Sequence, residues 1–298
     1  MSVMEISHRS KEFRDISERA KASIRRMLDI PENFVILFTQ GGAQMQFNAA
    51  CYNLLGKHKA ANFLLTGVWS KAASMEAAKH CKVYVVENTK DIDYTSVREA
   101  NWNVNPNADF FHYIDNETAN GFEFNDFPFD KVPDSQPIVC DMSSSLLTKP
   151  VDWSKYGMVY AASQKQAGIA NSCITIVRKD LIGRQAPDTP ALLSWDEYQK
   201  APDTYPNTPN TWGIYMCGLN VDYQLSQGGL GEMHARTLAR STPIYDYIDK
   251  SEGFYVNRVD ARYRSRINIT FRIRNNPTLE AKFVKEGGEA GFLGLKAP

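Results

Sequence analysis

The feature that most constrains this chain is a repeated alternation of short apolar segments with helix-forming segments. NFVILFTQ, ANFLLTG, CKVYVVE, DFFHYIDN, PIVCDMS, MVYAASQ and CITIVRKDL have the length and composition of buried strands. The segments GGAQMQFNAACYNLL and SKAASMEAAKH, which lie between the first three, have helical character. Apolar strands that alternate with helices are typical of a sheet covered on both faces. The sequence therefore predicts an α/β fold with a mostly parallel sheet.

The segments outside this alternation predict further helices and a second domain. KEFRDISERAKASIRRMLDI places Phe13, Ala20 and Ile24 on one helical face. Residues 184–211 are polar and proline-rich and predict a long functional or interface loop. A helix ending at Gly228 follows. We expect a large domain over 1–228 and a smaller α+β domain over 229–298, with helices in MHARTLARSTPIYDYIDKS and TLEAKFVKEGGEAG and strands in FYVNRV and RINITFRI.

Charge and cysteine content exclude several classes of protein. The 298 residues carry 34 basic and 34 acidic side chains, so no net charge favours nucleic acid or a membrane surface. No apolar run approaches the ~20 residues of a membrane helix. Five cysteines without a CxxC pair indicate neither a disulfide framework nor a metal site, and they fit a cytoplasmic protein.

Two glycines join the first predicted strand to the next helix, in FTQGGAQMQF. Glycines at this junction allow close approach of an anion, and amides at a helix start can bind it. The segment matches neither GxGxxG nor a Walker loop. A tight strand–helix turn without a ligand is the alternative.

Two ionisable residues follow other predicted strands. Asp141 ends the apolar run in PIVCDMS, and Lys165 directly follows MVYAASQ. Ligands bind at the carboxyl ends of strands in such sheets, and partial burial makes a lysine amine available as a nucleophile. The alternatives are a capping aspartate and a surface lysine. Together with the glycine loop, the pair matches the needs of pyridoxal phosphate: amides for its phosphate, a carboxylate for its ring nitrogen and a lysine for a Schiff base.

Eight segments, in this order, carry a family resemblance: SHRSKEF, QGGAQMQF, TGVWS, NETANG, CDMSSSLLTKPVD, ASQKQAG, NTPNT and FRIRN. They resemble the signature blocks of the phosphoserine aminotransferases, fold-type I, class V pyridoxal-phosphate enzymes of serine biosynthesis. The resemblance runs from Ser2 to Pro298. It implies a seven-stranded sheet and transfer of the amino group of glutamate to 3-phosphohydroxypyruvate, giving O-phosphoserine and 2-oxoglutarate.

The resemblance also implies how the cofactor is held. The amides of Gly42, Ala43 and Gln44 would bind the phosphate, and Gln164 would touch it. Trp69 would stack on the pyridine ring, with a core tryptophan as the alternative.

The remaining cofactor contacts follow from three further segments. Thr118 would hydrogen-bond the phenolic oxygen of the ring. Asp141 would pair with the ring nitrogen, with Ser143 assisting nearby. Lys165 would be the catalytic residue, forming the Schiff base and acting as general acid and base.

Substrate and partner contacts complete the implied site. His8 and Arg9 would bind the substrate, the alternative being a solvated helix start. Asn207 and Thr208 would reach the cofactor phosphate of a neighbouring subunit, which implies a homodimer with composite sites. A solvated proline turn is the alternative for this segment.

The two ends depart from the family pattern. The chain begins almost directly at SHRS and stops at GLKAP. We therefore expect it to lack an N-terminal segment and a small-domain block whose arginine binds the substrate α-carboxylate in the family. Reduced or absent activity follows as an expectation.

Four alternatives stay open at this point. The first is a catalytically impaired, cofactor-binding homodimer. The second and third are other class V enzymes, an alanine–glyoxylate aminotransferase or a cysteine desulfurase, although no cysteine lies in an obvious long loop. A nucleotide-binding dehydrogenase would leave Asp141 and Lys165 unexplained.

Overall fold

The fold is described from a computed structural model that covers residues 2–170, 172–200 and 205–295. The α-helices within these ranges are α1 (Lys11–Met27), α2 (Gly42–Leu54), α3 (Val68–Ala77), α4 (Trp195–Lys200), α5 (Thr211–Ser226), α6 (Gly229–Asp249) and α7 (Pro277–Glu289). The strands are β1 (Phe34–Thr39), β2 (Ala60–Leu65), β3 (Lys82–Asn88), β4 (Phe110–Ile114), β5 (Asn116–Glu117), β6 (Phe122–Glu123), β7 (Ile138–Asp141), β8 (Met158–Ala162), β9 (Cys173–Arg178), β10 (Tyr255–Val256) and β11 (Arg272–Ile273).

A seven-stranded sheet forms the centre of the molecule, in the order β1-β9-β8-β7-β4-β2-β3. The strands β8, β7, β4, β2 and β3 pair in parallel. β9 lies antiparallel between β1 and β8, so the other six strands share one direction. The predicted α/β fold with a mostly parallel sheet is confirmed. Its strands are almost fully buried, apart from the edge strand β3.

Helix α1 shows how local sequence determines an element. The hydroxyl of Ser10 caps its first turn by accepting a hydrogen bond from the amide of Phe13 at 3.3 Å. Phe13, Ala20 and Ile24 form its buried face, as the helical spacing predicts. Where α1 crosses α5, a side chain at Gly218 would lie 2.9 Å from the Cβ of Ala20, so glycine is needed for the close approach.

The C-terminal part departs from two sequence predictions. The strands predicted over 254–259 and 266–273 are reduced to β10 and β11, which pair with each other. In the second segment the amide of Arg266 donates to Glu123, and the amides of Ile267 and Asn268 donate to the hydroxyl of Ser265. These amides are therefore occupied by side chains and do not form a strand ladder.

The long loop predicted over 184–211 contains the short helix α4, whose Trp195 is buried. An apolar anchor thus orders part of a segment that composition alone describes as a loop. Helix α6 begins at the predicted boundary, directly after Gly228 in the left-handed region (φ 109°). The division into domains 1–228 and 229–298 stays a prediction, and residues 1, 171, 201–204 and 296–298 of these ranges lie outside the described residues.

Candidate active site

A cavity of about 280 Å³ lies at the carboxyl edge of the sheet, where β4, β7 and β8 end beside the start of α2. This is the edge at which open α/β sheets bind ligands. The residues that line the cavity are Gly41, Gly42, Ala43, Gln44, Phe47, Trp69, Ile114, Asn116, Asp141, Ser143, Ser144, Ala162, Gln164 and Lys165. The structure thus brings together eight of the residues predicted from the sequence.

The glycine loop leaves the first amides of α2 open to a ligand. Gly41 and Gly42 both have positive φ, 76° and 62°, which residues with a side chain rarely adopt. Gly41 occupies the cap position and provides no side-chain hydrogen bond, and the first turn contains no acidic residue. The amides of Gly42, Ala43 and Gln44 therefore retain the positive end of the helix dipole for an anion.

Asp141 places a carboxylate in the wall of the cavity. It ends β7 and is only 6% exposed, and its Oδ1 accepts a hydrogen bond from the amide of Ser143 at 2.8 Å. Burial raises the pKa of this carboxyl, while the hydrogen bond from Ser143 and the positive charge of Lys165 oppose the shift. The hydroxyl of Ser143 also acts on this carboxyl, and within the described chain the second oxygen, Oδ2, accepts no hydrogen bond from any other residue. A buried carboxylate with one open oxygen favours a ligand that donates a proton.

Ser143 also connects two strand ends. Its hydroxyl accepts a hydrogen bond from the amide of Ala162, the last residue of β8, at 3.0 Å. The turn that contains Asp141 is therefore held against the strand that leads to Lys165.

Lys165 lies in the turn after β8 and contributes to the cavity wall. Part of its surface is open to the cavity, yet desolvation by the surrounding protein lowers the pKa of its amine, and the charges of Asp141 and Glu117 offset this only in part. No carboxylate of the described chain forms an ion pair with it. A larger neutral fraction makes this amine a better nucleophile and base than an ordinary surface lysine.

Trp69 forms the wall at the start of α3. It is 41% exposed, and its indole Nε1 donates a hydrogen bond to the hydroxyl of Thr118 at 3.2 Å. Thr118 is not among the lining residues, so it contacts the cavity through this tryptophan. The alternative of a core tryptophan does not fit this exposure.

Asn207 and Thr208 do not line the cavity of their own chain. The side chain of Gln40 donates to Oδ1 of Asn207 and, at 3.3 Å, to the carbonyl of Thr208. Gln40 directly precedes Gly41, so the segment packs beside the glycine loop without entering the cavity.

His8 and Arg9 also lie outside the cavity. They precede the cap residue of α1, and the amide of Arg9 donates to the hydroxyl of Ser7 at 3.2 Å. Within one chain, the structure does not bring these two residues together with Lys165.

The structure adds polar residues that sequence reasoning did not single out. Asn116 donates hydrogen bonds to Ser144 at 2.8 Å and to Asn268 at 2.9 Å, and it accepts one from Ser265 at 2.6 Å. Asn116 and Ser144 lie in the quoted segments NETANG and CDMSSS, so the signal was present without a stated role. Their hydrogen bonds tie the cavity wall to the C-terminal part.

Two further observations concern classes of site. Across residues 2–170, 172–200 and 205–295, no group of three or more His, Cys, Asp and Glu side chains is arranged to hold a metal ion. In the same ranges, no helix has the length and apolar character needed to cross a membrane.

Curated relatives share most of their length with this chain. Phosphoserine aminotransferases from Laribacter hongkongensis and Coxiella burnetii are each 40% identical, over 298 and 299 residues. Both alignments cover 99% of this chain and 81% of the relative. The family model for class-V aminotransferases matches residues 2–290.

Solved structures agree with these relatives. Phosphoserine aminotransferase from Bacillus circulans subsp. alkalophilus superposes with a TM-score of 0.94 at 35% identity, covering 100% of this chain and 81% of that chain. The enzyme from Trichomonas vaginalis, solved with pyridoxal phosphate bound, gives 0.93 at 34% identity, covering 100% and 84%.

A more distant enzyme shares the fold of this chain but little of its sequence. An alanine–glyoxylate aminotransferase from Nostoc sp. shares the fold, with a TM-score of 0.72, 13% identity, and coverage of 89% of this chain and 73% of that chain. The sequence matches therefore favour the predicted family over this alternative. The chain belongs to the phosphoserine aminotransferase family of the class-V aminotransferases.

Proposed function

We propose that this protein uses pyridoxal 5′-phosphate to transfer the amino group of glutamate to 3-phosphohydroxypyruvate, giving O-phospho-L-serine and 2-oxoglutarate. The observation that carries the proposal is the meeting of a glycine loop, Asp141 and Lys165 in one cavity. Membership of the phosphoserine aminotransferase family selects the substrates from among those that such a cavity can serve.

The donor set of the cavity fits this cofactor. The open amides after Gly41 suit a phosphate, and the open oxygen of Asp141 suits a protonated ring nitrogen. The unpaired amine of Lys165 suits an aldehyde, and the indole of Trp69 suits the face of an aromatic ring. Without a ligand, these amides, the carboxylate and the amine would lack full hydrogen-bond or ionic partners within the described chain.

Bound pyridoxal phosphate would supply an electron sink for negative charge at the α-carbon of the substrate. The amides of Gly42, Ala43 and Gln44, with Gln164, would hold the phosphate. Asp141 would accept a hydrogen bond from the ring nitrogen and keep its proton in place.

The remaining residues of the wall would fix the ring and its substituents. Thr118 would bind the phenolic oxygen, and Ser143 would orient Asp141. Trp69 would restrict motion of the ring from one face.

Lys165 would carry the proton chemistry. Its lowered pKa favours the neutral amine, which can take a proton from the α-carbon of the substrate and return it to the cofactor side. Because one amino group is first accepted and then passed on, the two substrates would react in alternation with ping-pong kinetics.

The first experiment is the visible absorbance of the purified protein with added pyridoxal phosphate, beside Lys165→Ala. A visible band that requires Lys165, and that glutamate bleaches, is the expected result. A lysine-dependent band that glutamate leaves unchanged would instead indicate a cofactor-binding protein with impaired transfer. Absence of a lysine-dependent band would contradict the cofactor site.

We further propose a homodimer in which Asn207 and Thr208 of one subunit bind the cofactor phosphate of the other. Their position beside the glycine loop, outside their own cavity, supports this arrangement. His8 and Arg9 are proposed to bind the charged groups of the substrate, because a guanidinium pairs well with carboxylates and phosphates. A cytoplasmic location fits the five free cysteines.

Subunit mixing tests the shared site. A mixed dimer of Lys165→Ala with N207A/T208A contains one site with both defects and one site with neither. We therefore expect two inactive variants to regain up to about a quarter of wild-type activity after mixing, by random pairing of a twofold-symmetric dimer. No recovery from mixed dimers, verified by subunit exchange, would contradict the composite site.

A further inference from the structure

Glu117 is a buried carboxylate beside the cavity that the proposed chemistry does not use. It lies in β5 and is completely buried, yet it is not among the residues that line the cavity. A carboxylate in such a position is costly unless it accepts hydrogen bonds. Its hydrogen bonds therefore indicate what it does.

Both oxygens of Glu117 bind the start of α3. Oε2 accepts a hydrogen bond from the amide of Trp69 at 3.1 Å, and Oε1 accepts one from the amide of Ser70 at 2.7 Å. These are among the amides that a helix leaves unpaired at its N-terminus, where negative charge is favourable. The cap residue of α3 is Gly67, and the first turn contains no acidic residue. The hydroxyl of Ser70 accepts a hydrogen bond from the amide of Gly67, but the amides of Trp69 and Ser70 are capped by a glutamate distant in sequence.

Gly67 provides the space for this contact. Its φ of 174° is extended backbone that any residue can adopt, so its conformation does not require glycine. A Cβ at this position, however, would lie 2.4 Å from the carboxyl carbon of Glu117. The glycine is needed because the carboxylate occupies the room of a side chain.

The neighbour of Glu117 holds the other end of Trp69. Thr118 accepts the indole hydrogen bond, so two consecutive residues bind the backbone and the ring of one tryptophan. Trp69 is 41% exposed, and core packing therefore does not determine the orientation of its ring. These hydrogen bonds are what the structure offers to fix it.

We propose that Glu117 is a positioning residue, which caps α3 through the gap at Gly67 and thereby sets Trp69 against the cofactor ring. The inference rests on the proposed function in one respect, the stacking of Trp69 on pyridoxal phosphate. Burial raises the pKa of Glu117, and the hydrogen bonds from the hydroxyl and amide of Ser70 and from the amide of Trp69 offset this shift only in part.

A double-mutant cycle tests the proposal. E117Q, W69F and the double variant are depleted of cofactor and titrated with pyridoxal phosphate, and affinity is read from tryptophan quenching and visible absorbance. Glutamine keeps the shape but replaces one acceptor by a donor, so E117Q should weaken binding about tenfold. Because Glu117 acts through Trp69, E117Q should have little further effect in the W69F background.

The controls separate this role from a loss of fold. E87Q changes a carboxylate that is also buried but binds Arg98 and Trp102, and it should leave affinity unchanged. G67A places a methyl group where the carboxylate of Glu117 lies, so it should weaken cofactor binding as E117Q does. If E117Q does not fold, G67A replaces it in the double-mutant cycle with W69F. Thermal unfolding is measured for each variant.

Each outcome decides the proposal. The proposal would be overturned if both E117Q and G67A kept the wild-type affinity for pyridoxal phosphate. It would also be overturned if the losses of binding free energy caused by E117Q and W69F simply added in the double variant. A wild-type protein without a lysine-dependent visible band would refute the proposed function itself. If the wild-type protein shows the lysine-dependent band but the binding free-energy losses of E117Q and W69F add, only the role of Glu117 is refuted.

Discussion

Lys149 and Lys165 lie on neighbouring parts of the same sheet edge, in opposite electrostatic settings. The amine of Lys149 is 2.9 Å from Asp115 and 3.0 Å from Glu123, and it donates to the carbonyl of Phe124 at 2.6 Å. Lys165 has no such partner in the described chain. One lysine is tied into the structure and the other is left available for chemistry.

The pKa values of the two amines follow from this difference. Burial lowers the pKa of both. For Lys149 the carboxylates of Asp115 and Glu123 more than offset burial, and the net pKa is raised. For Lys165 the more distant Asp141 and Glu117 do not, and the net pKa is lowered. The comparison teaches that the ion pairs, and not burial, separate a structural lysine from a reactive one.

Lys165→Arg should produce the largest effect, because it keeps a positive charge but removes an amine that can be neutral. We expect the lysine-dependent visible band to disappear and amino transfer to fall by at least about a thousandfold. The fold should survive, because Lys165 forms no ion pair within the described part of the chain that the substitution would break. Absorbance, coupled assay and thermal unfolding measure the three results, and transfer within tenfold of wild type would contradict the role of Lys165.

Lys149→Met should instead affect stability. Removing the cation leaves the carboxylates of Asp115 and Glu123 buried without a counter-charge, which costs about 3–5 kcal/mol of unfolding free energy. Urea denaturation measures this loss, with Lys165→Met as the matched control, for which a much smaller change is expected. Equal losses in the two variants would mean that the ion pairs of Lys149 contribute little.

The smallest expected effect concerns the pH dependence of cofactor attachment, which tests the lowered pKa of Lys165. Only the neutral amine reacts, so the rate should rise about tenfold per pH unit until the pH passes the pKa of Lys165. Since this pKa is lowered, the plateau should come at lower pH than for a free lysine derivative. Stopped-flow absorbance with Lys165→Ala as baseline gives the profile, and a plateau at or above that of free lysine would be evidence against desolvation.

Much of the fold was predictable because it depends on local patterns. Apolar runs bounded by glycine or polar residues identified the seven strands of the sheet, and the carboxyl ends of those strands located the glycine loop, Asp141 and Lys165. The prediction was wrong for most of residues 266–273, where alternating residues suggest a strand. There the amides bind Glu123 and Ser265, and nothing local reveals acceptors so distant in sequence.

The site likewise combines residues that the sequence predicted with residues whose roles depend on contacts distant in sequence. Trp69 and Thr118 were predicted from family segments, but Glu117, which lies directly beside Thr118, was not. Its role depends on α3 being brought against it and on the space left by Gly67. Asn116 was likewise missed because its partners, Ser144, Ser265 and Asn268, come from two parts of the chain that are distant from it in sequence.

The sequence by itself determined the order of strands and helices along the chain, the glycine loop at the start of α2, and the family of the chain. These properties depend on residues close together in sequence. Only the tertiary structure decided that Lys149 forms ion pairs with two carboxylates while Lys165 forms none with the described residues. Both side chains are chemically identical, so the difference in their pKa comes entirely from the groups that folding places around them.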